Sequence, residues 1–179
     1  MIVLVGFMGA GKTTVGRLLA AELGLEFTDL DRAIEEDGHR SVKEIFAADG
    51  EAAFRAIEHE ALAAILAGPG QVLAAGGGAV EHAGSRRLLG AVDVDRPGCS
   101  AVDVVYLQVS YADALARVGA DARRPMLARP DLAEVYQQRL AGYESVATLT
   151  VATGGRGTRD VCAQVLAGLP RRDRAGYPH

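Results

Sequence analysis

MIVLVGFMGAGKTT, residues 1–14, is the stretch of sequence that decides the fold. Residues 2–5 are an apolar, β-branched run, which is typical of a strand buried on both faces of a parallel sheet. Residues 6–13 match the pattern G-x-x-x-x-G-K-[ST], and a helical spacing of apolar residues begins after them. A strand, a glycine-rich loop and a helix in this order predict a phosphate-binding site.

The residue types in this loop suit the chemistry of phosphate binding. Glycines let backbone N–H groups approach phosphate oxygens, and the helix N-terminus adds further donors and partial positive charge. Lys12 is expected to reach the β- and γ-phosphates, and the Thr13 hydroxyl is expected to bind Mg²⁺. The alternative is a glycine-rich turn that binds nothing, and the flanking strand and helix argue against it.

Composition limits the other possibilities. A chain of 179 residues with 49% hydrophobic and 23% charged residues is expected to form one globular domain. A net charge of −4 gives no electrostatic reason to expect nucleic acid as a partner. Cys99 and Cys162 lack metal-ligand spacing, which suggests reduced thiols in a cytoplasmic protein. No apolar run is long enough to span a membrane, so we expect no membrane association.

Three further stretches have both a structural and a functional interpretation. Asp29 and Asp31 follow a predicted strand at residues 25–28, where ligands bind in parallel sheets, but acidic residues also begin helices. The triplet at residues 76–78 indicates either a close approach of the backbone or a hinge. Arg55 and Glu58 are spaced as an exposed helical ion pair that contributes little stability.

The second half of the chain contains two irregular stretches and a polar end. Residues 91–103 are predicted to form a long loop. Residues 117–130 combine arginines, prolines and a glycine, and are interpreted either as a solvated loop or as a mobile lid that brings arginines to phosphate charge. We expect one domain over residues 1–168 and a disordered tail over residues 169–179.

Taken together, the motifs resemble the shikimate kinase family over nearly the whole chain. Six segments match in family order: GFMGAGKTT (6–14), DLD (29–31), FRAIE (54–58), GGGAV (76–80), RPML (124–127) and RLAGYESVA (139–147). The resemblance implies a three-layer α/β fold of the nucleoside-monophosphate-kinase-like P-loop type. It also implies a five-stranded parallel sheet in the order 2-3-1-4-5.

The resemblance further implies a role for each matching residue. The catalytic residues would be Lys12, Asp31 and Arg124. Mg²⁺ would be bound by Thr13 and supported by Asp29. ATP would be bound by Gly9, Ala10, Gly11, Lys12, Thr13, Thr14, Arg117, Arg124 and Arg156. Shikimate would be bound by Asp31, Arg55, Gly77, Gly78 and Arg139.

The expected function is ATP-dependent phosphorylation of shikimate at its 3-hydroxyl, in aromatic amino-acid synthesis, by a monomer. The alternatives are a kinase for another small polyol or hydroxy acid such as gluconate, a nucleoside-monophosphate kinase, and a nucleotide-binding module without turnover. Two departures from the family pattern bear on specificity. Ala141 and Gly142 replace a proline and a leucine, and the helix before Arg139 is about one turn short, which could move Arg139.

Overall fold

The structure is a computed structural model that describes residues 1–90, 102–119 and 129–170. The strands are β1 (Ile2–Val5), β2 (Phe27–Asp29), β3 (Val72–Ala74), β4 (Asp103–Gln108) and β5 (Leu149–Ala152). The helices of the described ranges are α1 (Lys12–Leu23), α2 (Leu30–Gly38), α3 (Val42–Leu66), α4 (Ala83–Gly90), α5 (Tyr111–Val118), α6 (Leu132–Val146) and α7 (Thr158–Gly168). Most of the predicted loop 91–103, lid 117–130 and tail 169–179 lies outside the described residues, and so does Arg124.

The five strands form one parallel sheet in the order β2-β3-β1-β4-β5, which confirms the predicted order. β1 lies at the centre, and all four of its residues are buried. β4 beside it is buried except for Gln108. Burial on both faces explains why these two strands are continuous apolar runs rather than alternating ones.

The strand order places helices on both faces of the sheet. The chain runs from β1 outward past β3 to β2, then reverses and returns across the sheet to β5. Because parallel crossovers are right-handed, this reversal puts α1 on the face opposite to the helices that connect β2 to β5. α1 packs against α7 on its face, while α3 contacts α2 and α4 on the other. The predicted three-layer architecture is confirmed.

Local signals set most of the element boundaries. α1 ends at Gly24, which adopts the left-handed conformation with φ of 65°. Ser41 begins α3 with a complete capping box to Glu44, and the Ser110 hydroxyl accepts a hydrogen bond from the Asp113 N–H at 3.0 Å. Gly50 interrupts α3 with φ of 83° and ψ of 170°, as its position in the helical pattern predicted.

The register of the sheet brings the predicted motifs to one edge. Leu4 of β1 and Asp29 of β2 both pair with Ala74 of β3, so these three strands end at the same level. The loop after β1, the D-x-D segment after β2 and the glycine triplet after β3 therefore meet beyond the carboxyl ends of the strands. α1 and α4 leave β1 and β3 toward opposite faces, and such a switch point opens a crevice for ligands.

The predicted second strand is shifted along the sequence. It covers Phe27–Asp29 rather than residues 25–28, so Asp29 ends the strand and Asp31 lies in the first turn of α2. The acidic helix N-terminus is therefore confirmed, while ligand binding by the two aspartates at this strand end stays a prediction. Among the described helices, none is both long enough and apolar enough to cross a membrane.

Candidate active site

The loop between β1 and α1 has the backbone geometry that phosphate binding requires. Gly9 and Gly11 have φ of 74° and 94°, which side chains rarely adopt. A Cβ on Gly9 would also lie 2.7 Å from the Ala114 carbonyl oxygen. Gly11 caps α1 without a side-chain hydrogen bond, and the first turn carries no acidic residue. The positive end of α1 is thus open to an anion.

A cleft of about 400 Å³ lies over this loop and contains most residues predicted to bind the nucleotide. Its lining includes Gly9, Ala10, Gly11, Lys12, Thr13, Thr14, Arg117, Thr153 and Arg156. Arg117 donates to the Gly9 carbonyl at 3.2 Å and to the Thr153 hydroxyl at 2.9 Å. Arg156 donates to the Ala152 carbonyl at 2.7 Å. The last turn of α5 and the loop between β5 and α7 therefore supply two positive charges that line this cleft.

Lys12 and Thr13 lie where this cleft meets a second, larger one. The Lys12 ammonium donates to the Gly6 and Phe7 carbonyls at 2.7 and 3.2 Å, so it stays within the loop. The Thr13 hydroxyl donates to the Asp29 carboxylate at 2.8 Å. Hydroxyl and carboxylate oxygens are ligands that Mg²⁺ prefers, and here they lie side by side next to the phosphate loop. The described residues contain no cluster of three or more metal-ligating side chains, so most other ligands would come from phosphates and water.

The second cleft has a volume of about 860 Å³, and two of the carboxylates that line it, Asp31 and Glu58, lie close to Gly76. Asp31 is half-buried, whereas Glu58 on α3 is fully buried. A Cβ on Gly76 would lie 2.9 Å from an Asp31 carboxylate oxygen and 2.3 Å from a Glu58 oxygen. The glycine is required by this close approach and not by a left-handed backbone, since its φ is not positive. The hinge interpretation of the triplet therefore lacks support.

Burial dominates the electrostatics of these two carboxyl groups. It raises the pKa of Asp31, and the neighbouring Asp29 raises it further, while Lys12 and Arg55 act in the opposite direction. Burial also raises the pKa of Glu58 to about 7, against the attraction of Arg55. Removal from water therefore favours the neutral form of both carboxyl groups, and the neighbouring cations oppose this effect.

Two arginines from different helices line this cleft and contact the same carboxylate. Arg55 of α3 donates to Glu58 at 2.8 Å, to Glu51 at 3.1 Å and to Glu81 at 2.7 Å. Arg139 of α6 is 3% exposed and donates to the same oxygen of Glu81 at 2.8 Å. The Arg139 guanidinium also lies over the Phe7 ring. The shortened helix before Arg139 has therefore not removed it from the cleft.

The buried side-chain atoms that lack a hydrogen-bond partner belong to these same residues. In the part of the chain that the structure describes, they are the Nε atoms of Arg55 and Arg139 and one carboxylate oxygen of Glu58. A buried polar atom without a partner costs free energy, and such atoms mark places where a ligand supplies the missing bond. An acidic ligand would suit the two guanidinium groups.

The structure thus brings Lys12, Asp29, Asp31, Arg55 and Arg139 into one cleft, together with Thr13, Gly77 and Gly78. The predicted surface pair of Arg55 and Glu58 is wrong, because Glu58 is fully buried and Arg55 is 12% exposed. The two side chains do form an ion pair, as their spacing predicts. This face of α3 lines the polar cleft and does not pack against the apolar core.

Sequence reasoning missed the roles of Glu58 and Glu81. The F-R-x-x-E spacing could have identified Glu58, since residues three apart share a helix face. Glu81 follows the glycine triplet, and no motif or helical spacing in the sequence points to it.

Comparison with known proteins gives a consistent result. The shikimate kinase family model matches residues 8–170 of the chain. The shikimate kinase of Thermobifida fusca is 42% identical over 173 residues, which cover 95% of each chain. The solved structure of shikimate kinase from Acinetobacter baumannii in complex with shikimate has a TM-score of 0.83 and 37% identity. The match covers 92% of this chain and 89% of the Acinetobacter baumannii chain.

A gluconokinase from Sinorhizobium meliloti 1021 is similar in fold only. Its structure has a TM-score of 0.54 and 20% identity. The match covers 93% of this chain and 89% of the gluconokinase chain. The architecture is therefore shared among P-loop kinases with different acceptors, and the acceptor must be argued from the cleft.

Proposed function

This chain belongs to the shikimate kinase family, and from that premise we propose that it transfers the γ-phosphoryl group of ATP to the 3-hydroxyl of shikimate. The observation that carries the choice of acceptor is the pair Arg55 and Arg139, which line the second cleft and whose buried Nε atoms lack hydrogen-bond partners. A guanidinium fork suits a carboxylate, and two forks would fix an acidic ring at one end.

The acceptor end of shikimate would then lie between this pair and the phosphate loop. Asp31 lines the same cleft beside Lys12, and we assign it the task of orienting the hydroxyl and accepting its proton. The hydroxyl oxygen forms a bond to the γ-phosphorus as the bond to the β–γ bridging oxygen breaks. ADP leaves with the electron pair of the broken bond. Gly77 and Gly78 are proposed to present backbone N–H groups to the substrate.

Phosphoryl transfer depends on positioning and on stabilising charge. In this proposal residues 9–14 hold the phosphates through backbone N–H groups, and Lys12 neutralises their charge. Arg117 and Arg156 hold the rest of the nucleotide in the first cleft. Arg124, which lies outside the described residues, is proposed from the resemblance to meet the transferring phosphoryl group.

We propose Mg²⁺ as the cofactor, bound by the Thr13 hydroxyl and supported by the Asp29 carboxylate. The Thr13 hydroxyl oxygen and one Asp29 carboxylate oxygen lie 2.8 Å apart. When bound, the ion neutralises charge on the phosphate oxygens. We further propose a monomer with a single catalytic domain over residues 1–168, acting in the cytoplasm without nucleic acid as a partner.

An acceptor panel tests the proposal. The chain is incubated with ATP, Mg²⁺ and either shikimate, gluconate or a nucleoside monophosphate, and ADP release is followed together with phosphorus NMR of the product. We expect turnover with shikimate and a product phosphorylated at the 3-hydroxyl. Faster turnover with another acceptor would overturn the assignment, and no turnover with any would indicate a nucleotide-binding module.

A further inference from the structure

Glu81 lies between the two arginines that are proposed to bind the substrate carboxylate. One of its carboxylate oxygens accepts from Arg55 at 2.7 Å and from Arg139 at 2.8 Å. The two guanidinium groups come from α3 and α6, while Glu81 follows the glycine triplet and precedes α4. A single carboxylate oxygen thus joins two cations that the fold brings in from separate elements.

The chemical role of this oxygen matches that of a bound acidic ligand. Arg55 and Arg139 are 12% and 3% exposed, and like charges this close require an anion nearby. Glu81 is the carboxylate that contacts both arginines, while Glu58 and Glu51 accept from Arg55, yet both Nε atoms remain without partners. One monodentate oxygen therefore uses only part of the donor capacity that the two forks offer.

We propose that Glu81 is a resident carboxylate that takes one Nη donor from each arginine, opposes the shikimate carboxylate through charge repulsion, and turns away from the pair when substrate binds. Glu81 does not line the second cleft but a neighbouring cavity that residues of α4 and α6 also line, so it reaches the arginines from beside the cleft. The inference rests on the proposed function, because it assigns the second cleft to shikimate. Two carboxylates on the same arginine pair repel each other. Glu81 is 33% exposed, so its side chain has water available when it is displaced.

This role makes Glu81 a determinant of affinity rather than of rate. Shikimate binding exchanges one carboxylate for another, so the arginines return less free energy than an empty pair would. The cost is the same in the ground state and in the transition state, because the carboxylate does not react. Removing the competitor should therefore lower KM and leave kcat unchanged.

The test compares Glu81→Gln with the wild type by calorimetric titration of shikimate. Glutamine keeps the shape but loses the charge, so its contact with the arginines is weaker. We expect the Kd for shikimate to fall about five- to tenfold and the KM to fall with it at constant kcat. Glu134→Gln, which removes the same charge from the exposed face of α6, should leave the Kd unchanged.

The methyl ester of shikimate separates competition from general effects. It lacks the anion that competes with Glu81, so its affinity should be equal in the wild type and in Glu81→Gln. A second variant, Glu81→Ala, should strengthen shikimate binding as Glu81→Gln does, with circular dichroism to verify that both fold.

An increased or unchanged Kd for shikimate in the folded variants would overturn the inference, and would show that Glu81 orders the arginines instead. An equal gain for the ester would also overturn it. Failure of the proposed function is distinguishable, because the wild-type chain would then release no ADP with shikimate, and the inference would fall with it.

Discussion

At the scale of single residues, Asp29 and Asp31 lie two positions apart but face different partners. Asp29 ends β2 and accepts a hydrogen bond from the Thr13 hydroxyl, whereas Asp31 begins α2 and approaches Gly76. Their proposed tasks differ accordingly. Asp29 supports the metal and Asp31 serves the acceptor hydroxyl.

Asparagine variants separate these tasks. Asp31→Asn should bind ATP normally but lose at least about a hundredfold in kcat, because general-base catalysis contributes on that scale. Asp29→Asn should show a higher Mg²⁺ requirement that excess metal partly restores. Kinetics over a Mg²⁺ titration decide between them, and rescue of Asp31→Asn by metal would reverse the assignment.

Glu58 predicts a pH dependence of stability. Its pKa is about 7 in the folded chain against 4.5 ordinarily, so the folded state keeps a proton that the unfolded state has released. The associated stabilisation is complete below pH 4.5 and is lost as the pH rises to about 7. The stabilisation amounts to roughly 3 kcal/mol.

Glu58→Gln removes this titration. The free energy of unfolding of the wild type, measured by urea denaturation relative to that of Glu58→Gln, should therefore decline between pH 4.5 and 7. Ser145→Ala, on the exposed side of α6, serves as a control with no ionisable group at the substituted position. A difference that does not vary with pH would show that Glu58 titrates normally.

At the scale of elements, two of the three glycines after β3, Gly76 and Gly78, lie so close to neighbouring side chains that a Cβ would collide with them. A Cβ on Gly78 would lie 2.3 Å from the guanidinium carbon of Arg55, whereas a Cβ on Gly77 would meet nothing closer than 3.7 Å. The two neighbouring positions therefore make a matched pair.

Gly78→Ala should displace the Arg55 guanidinium and weaken shikimate binding about tenfold or more, because a charge-assisted contact is lost. Gly77→Ala should leave the unfolding temperature and the position of Arg55 unchanged. Thermal unfolding and a crystal structure of each variant measure this. Equal displacement of Arg55 in both variants would contradict the steric account.

Much of the element pattern could be predicted from local sequence. The capping box at Ser41, the cap at Ser110 and the interruption at Gly50 depend on neighbouring residues only. The strand order could not be derived from such patterns and came from the family resemblance. The burial of Glu58 and the contact of Glu81 with two arginines depend on how α3, α4 and α6 meet, which periodicity along one helix does not contain.

At the scale of the whole molecule, two clefts share the phosphate loop, and the proposed function assigns the nucleotide to the first and shikimate to the second. Lys12 and Thr13 line both clefts, Arg117 and Arg156 line the first, and Arg139 lines the second. Phosphoryl transfer across the loop then requires no rearrangement of the core. The separation of the two clefts also predicts that the affinity for the acceptor and the affinity for the nucleotide can be changed separately.

The central claim is that the second cleft holds shikimate by its carboxylate, and steady-state kinetics of Arg139→Ala test it most directly. Loss of a buried carboxylate contact costs about 2–5 kcal/mol, so the KM for shikimate should rise by more than about tenfold. The KM for ATP should be unchanged. Arg156→Ala is the reciprocal control and should raise the KM for ATP alone. An unchanged KM for shikimate in Arg139→Ala would contradict the account.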